Sequence, residues 1–145
     1  MANKTLLLLF AAVLAFAMPA KAADVVWSAL VLGTNEKQPQ LPPDSLAPFT
    51  KQLRSIFGYN QFILLNEHKR TIEDDTERWL VPGRDFSMRI NASPSNDPTL
   101  HLKMELFQGK RLLVKTDAEL ERQTPLFIRG PLSGRGQLVI ILMVR

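Results

Sequence analysis

Few side chains in this sequence are of a kind that does chemistry, and their spacing narrows what that chemistry can be. His68 and His101 are its two histidines. They would hold a metal only if folding brought them onto a shared carboxylate, and no ligand spacing in the sequence calls for that. Both read as exposed residues, His68 at a strand end and His101 on the polar face of a hairpin. Cysteine is absent, which excludes thiol nucleophiles, thiolate zinc sites and iron–sulfur clusters. The acidic run Glu73-Asp74-Asp75, with Glu77, has the charge to attract calcium. It lacks the alternating oxygen ligands and the glycine of a calcium loop, and Arg70 and Arg78 flank it. It reads as a solvated segment that keeps a sheet edge from pairing.

Residues 129–136 (RGPLSGRG) suggest phosphate binding at first sight. A phosphate-cradling loop runs from a strand into a helix and ends in Gly-Lys-Ser/Thr, whereas this segment leads into a strand and lacks that ending. It reads as a hairpin loop whose Arg129 and Arg135 suit an acidic partner. Ser45, Ser55, Ser87 and Ser133 sit in no nucleophile-elbow pattern, and Glu119 and Glu121 are close in sequence with no facing geometry implied. Asn91-Ala92-Ser93 matches a glycosylation sequon, but Pro94 directly after it disfavours use. The expectation is a protein that is not an enzyme and takes no cofactor or metal, with Arg129, Arg135 and Trp79 as its candidate partner contacts.

Stepping outward from these residues, the first 22 form a leader. Lys4 gives the positive start, residues 5–18 (TLLLLFAAVLAFAM) the apolar centre, Pro19 its end, and Ala20-Lys21-Ala22 the small–x–small pattern of a signal-peptidase site. The apolar run is shorter than the roughly 20 residues of a membrane anchor. The expected product is periplasmic or secreted, begins near Ala23, and carries no lipid because no cysteine is present. Two of the 18 basic residues, Lys4 and Lys21, lie in the leader, so residues 23–145 carry 16 basic against 14 acidic residues, net +2. Such scattered, nearly balanced charge argues against nucleic-acid binding. An exported domain without disulfides must be held by packing alone, which suits a bacterial envelope.

The mature 123 residues fit one domain, 23–145. Residues 25–32 (VVWSALVL) are apolar on both faces and predict a buried strand. Residues 36–43 are polar and proline-rich and predict a surface connection. From Asp44 to Phe57, Leu46, Phe49, Leu53, Ile56 and Phe57 recur at helical spacing, with Asp44 or Ser45 as cap and Gly58 as stop. Strands are then expected at 60–66 and at Trp79-Leu80-Val81, the latter closed by a Pro82-Gly83 turn. A charged stretch, Glu67–Arg78, lies between these two. Phe86, Met88 and Ile90 alternate with polar residues, and Pro94–Pro98 is a turn by composition. Leu100, Leu102, Met104 and Leu106 form one face of a hairpin that returns through Gly109-Lys110 to Leu112, Val114 and Thr116. Residues 125–129 and the doubly apolar 138–144 (LVIILMV) complete the set. The pattern predicts an α+β domain: an antiparallel sheet or sandwich of about seven strands, with one amphipathic helix after the first. No segment of the mature chain is long enough to span a membrane as a helix.

Residues 79–144 resemble the last β portion of bacterial secretins in the order of a VPG turn (81–83), alternating strands, Thr124-Pro125, LFIRGP (126–131) and a final apolar strand. The glycine pair of the late secretin turn is missing, and the chain is too short to form a secretin ring. Residues 46–65 (LAPFTKQLRSIFGYNQFILL) with their flanking strands are similar to small exported bacterial proteins. The resemblance implies an envelope or secretion-associated role and carries over no functional residue. The leading expectation is an exported interaction domain that meets a protein partner in the cell envelope through surface or strand-edge contacts. Its alternatives are an accessory component of a secretion or pilus system, and a small secreted hydrolase or carbohydrate-binding domain. Partner and oligomeric state stay open at this level.

Overall fold

The computed structural model describes residues 22–73, 77–81, 86–92 and 96–145, with the backbone alone over 77–81. The described residues form eight strands and one short helix, the expected α+β sandwich with its helix after the first strand. β1 (Val25–Thr34), β2 (Gln61–Thr71), β7 (Leu126–Ser133) and β8 (Gly136–Val144) make one antiparallel sheet in the order β2-β1-β8-β7. β3 (Glu77–Val81), β4 (Phe86–Ala92), β5 (Thr99–Gln108) and β6 (Arg111–Glu121) make the second, in sequence order.

Three layers explain the two doubly apolar strands. Along β1, Val26 and Leu30 point into the core between the sheets, while Trp27, Ala29 and Val31 point to the helix side. Along β8, Leu138, Ile140, Leu142 and Val144 face the second sheet, and Val139 and Ile141 face the helix side. β1 and β8 pair with each other at the centre of their sheet, so each is covered above and below. Strands buried on both faces carry continuous apolar runs, and strands with one wet face alternate. Phe86, Met88 and Ile90 of β4 follow the second rule, burying every other side chain against the opposite sheet.

The helix side is held by aromatic packing. A single 3-10 turn (Ala47–Phe49) leads into α1 (Thr50–Phe57). Phe49 stacks on Trp27 at 5.3 Å between ring centroids and meets Phe127 edge-on. The Trp27 indole N–H donates to Glu67 at 3.2 Å, which satisfies the one polar atom of that buried ring. Leu46, Phe49 and Leu53 are buried as expected, but Ile56 is 53% exposed. α1 is only two turns long, and its buried side is centred on Leu53 and leaves Ile56 at the rim. Neither Asp44 nor Ser45 caps the start through its side chain. Gly58 ends α1 in the left-handed conformation at φ 75°, as its position predicted.

Several expectations shift with the observed boundaries. β2 continues through Glu67–Thr71 rather than ending at Asn66, because its register with β1 runs to Thr71 opposite Val25. β7 extends through Ser133, so the expected loop at 129–136 shrinks to a turn at Gly134-Arg135. β6 runs five residues past Thr116, to Glu121. Residues 1–21 of the expected 22-residue leader, Asp74 and Asp75 of the acidic run, the Pro82-Gly83 turn and Ser93–Ser95 lie outside the described residues.

Candidate functional site

β6 is where the structure departs most from the economy of a closed core. The β5–β6 hairpin turns at Gly109, whose φ of 58° suits glycine. Its register sets Leu102 opposite Ala118, Met104 opposite Thr116 and Leu106 opposite Val114. These pairs share the face that looks toward the other sheet. On β5 that face is closed, with Met104 4% and Leu106 6% exposed; directly across, Val114 is 44% exposed and Thr116 is exposed as well. The same pleat is thus buried on one strand and wet on the next. Leu113, Ala118 and Leu120 of β6 still pack against the core, but the stretch at Val114 and Thr116 stands clear of it.

The reason is topological. β6 is the last strand of its sheet, and among the described residues no strand pairs with its outer side. After Glu121 the chain leaves for the opposite sheet, where the Gln123 N–H donates to the Val144 carbonyl. The end of β6 is tied down there most firmly, with Leu120 buried. A bulge between Leu106 and Phe107 puts Leu112 opposite Phe107, leaving Leu112 47% exposed. An unpaired strand edge offers a row of backbone donors and acceptors to any extended chain. Here the edge also presents apolar side chains.

The outer face of the same sheet is a ladder of opposite charges. The Glu105 carboxylate lies between Arg89 Nε and Lys115 Nζ, each at 3.2 Å. Arg89 also lies over the Phe107 ring at 5.2 Å. Lys103 sits across from Asp117, and His101 Nδ1 is 3.5 Å from Glu119. A shallow cleft of about 290 Å³ runs between Arg89, Asn91, Lys103, Glu105, Lys115 and Asp117. Its one half-buried carboxylate is clamped between two cations, an arrangement that orders the sheet surface. Exposed pairs of this kind each contribute within about 1 kcal/mol.

The sequence-predicted contacts do not converge. Arg129 stands on β7 over the Phe57 ring at 5.2 Å, toward the helix layer. Arg135 is exposed in the β7–β8 turn. Trp79 lies in β3 opposite Arg89 by backbone register, and its side chain is outside the described residues. The histidines are far apart in the fold, on β2 and β5, and among the described residues no cluster of three metal-ligating side chains forms. His68 corrects its expectation of exposure. It is half-buried opposite the fully buried Ser28, and its Nε2 is buried with no hydrogen-bond partner among the described residues. Glu119 and Glu121 are both exposed on β6, and neither lines the cleft between Arg89 and Asp117.

Sequence reasoning missed two features. One is the β6 edge, for which a signal existed: the strand is basic in its first half (Arg111, Lys115) and acidic in its second (Asp117, Glu119, Glu121). The other is the fork-to-fork pair of Arg122 with Asp24, Nε to Oδ1 at 2.9 Å and Nη2 to Oδ2 at 2.8 Å. That hydrogen bonding to Asp24 raises the Arg122 pKa above its ordinary value, and the Asp97 charge adds to it. Arg122 also donates to the Asp97 carbonyl, so one guanidinium joins the start of β1, the β4–β5 turn and the corner after β6. Nothing in the sequence relates residues 98 positions apart. No family model, curated protein or solved structure matches the chain.

Proposed function

We propose that this protein is an exported, non-enzymatic contact domain of a bacterial cell envelope, and that it engages a protein partner by strand addition at β6. One observation carries the proposal: Val114 and Thr116 are exposed while their β5 partners on the same face are buried. An added strand would satisfy the backbone groups of the edge and extend the core over Val114. Strand addition works in this way, with main-chain hydrogen bonds for affinity and alternate side-chain sites for selectivity. Export is supported by the leader's charge, apolar centre and small–x–small ending, and by the absence of cysteine. The non-enzymatic part rests on the Glu105 carboxylate, held between two cations in a shallow cleft.

The test is position-dependent photo-crosslinking in living cells that express the full chain. A photoreactive residue at Thr116 is expected to give discrete protein adducts, and the same residue at Lys51, on the exposed face of α1, is not. Val114→Lys places a charge where an incoming strand must pack and is expected to remove the Thr116 adducts at unchanged protein level. Equal labelling from both positions, or none from Thr116, would overturn the reading.

A further inference from the structure

We infer that the strand taken up by β6 is β6 of a second copy of this chain, giving a two-fold dimer in which the two outer sheets join edge to edge. The inference rests on the strand-addition reading and names its partner. It follows from the charge order along β6. In an antiparallel pair related by a two-fold axis, the first half of one strand lies beside the second half of the other. If the axis passes at Thr116, Lys115 stands opposite the second copy's Asp117, and by symmetry the reverse pair forms as well. Val114, now 44% exposed, then stands opposite the second copy's half-buried Ala118, which extends the core-facing side of the sheet. Beyond the bulge, the basic end at Lys110 and Arg111 runs alongside Glu119 and Glu121 of the second copy.

The register is selective. Moving the axis one residue either way sets Lys115 against Lys115 or Asp117 against Asp117. Moving it to Ala118 sets Asp117 against Glu119. Directly opposed like charges destabilise a strand pair and opposite charges stabilise it, so among the registers centred on residues 115–118 the Thr116-centred one is favoured. Lys115 has room to serve both strands: its side chain is 70% exposed and touches Glu105 from one side only. A contact of this small size predicts micromolar dimerisation, weakened by salt because exposed ion pairs set its register.

The chain is expressed from its full sequence, purified as the cell processes it, and followed by sedimentation velocity from about 1 to about 500 µM. The wild type is expected to pass from monomer to dimer across that range, with a smaller dimer fraction at high salt. Lys115→Asp and Asp117→Lys are each expected to stay monomeric. Mixed one to one they should recover the dimer, because every opposed pair is complementary again, and the double variant should dimerise alone. Circular dichroism confirms that each variant is folded. A wild type that is monomeric throughout overturns the inference without reference to any variant. A dimer that persists in both single variants overturns it too, since it would then use another surface. The broader reading fails separately: adducts at Thr116 to a different protein, lost in Val114→Lys, would retain strand addition while excluding self-pairing.

Discussion

Glycine shows how differently single residues of one type act in this fold. Gly58 has φ 75° and open space around its missing Cβ, so its value is conformational alone. Gly130 has no such backbone demand, but a Cβ there would lie 3.0 Å from the Phe86 ring and 3.2 Å from Leu138. Gly58→Ala is therefore expected to cost about 1 kcal/mol, through backbone strain. Gly130→Ala is expected to cost about 1–3 kcal/mol through overpacking. Urea unfolding midpoints of the two variants check both figures, and a Gly130→Ala midpoint equal to wild type would contradict the contact. Only the first role was readable in advance: a glycine just after an apolar helical run is a stop, whereas Gly130 matters because Phe86, from the opposite sheet, arrives above it. His68 follows the same logic. Its neighbours in sequence are charged and suggest exposure, but pairing with β1 turns it toward the buried Ser28.

At the scale of elements, periodicity was informative wherever one face meets one environment. The alternation in β4 and β5 gave their inward residues correctly, and both doubly apolar segments became the covered central strands. The helix stripe was correct for Leu46, Phe49 and Leu53 and misplaced Ile56, because spacing alone does not reveal how narrow a strip of a two-turn helix the sheet covers. The resulting contrast is testable. Leu53→Ala is expected to destabilise by about 2–5 kcal/mol, since it opens a cavity between α1 and Trp27's sheet. Ile56→Ala should change stability by no more than about 0.5 kcal/mol. Thermal unfolding of the pair reads out the difference, and similar losses from both would show that α1 packs in another rotation. Hydrophobic spacing equally told that β6 exists, but its exposure came from its place in the sheet order.

For the molecule as a whole, the expected leader makes a prediction of its own. On the proposed export, protein purified from its native cells is expected to begin at Ala23, and N-terminal sequencing decides it; a retained leader would mean that the segment anchors the chain instead. The described fold is held without a disulfide: its first and last strands pair at the centre of one sheet, and Arg122 ties Asp24, at the start of β1, to the corner after β6. Composition, periodicity and turn residues determined the α+β class, the single helix after the first strand and the identity of the two covered strands. These are local properties, fixed by which faces of a segment shun water. Tertiary structure alone decided which strands became edges, that Val114 and Thr116 lie beyond the core while Leu106 and Met104 lie within it, and that Arg122 meets Asp24. Each of those depends on which distant segments come to lie side by side, and pairing between segments far apart leaves no period in the chain.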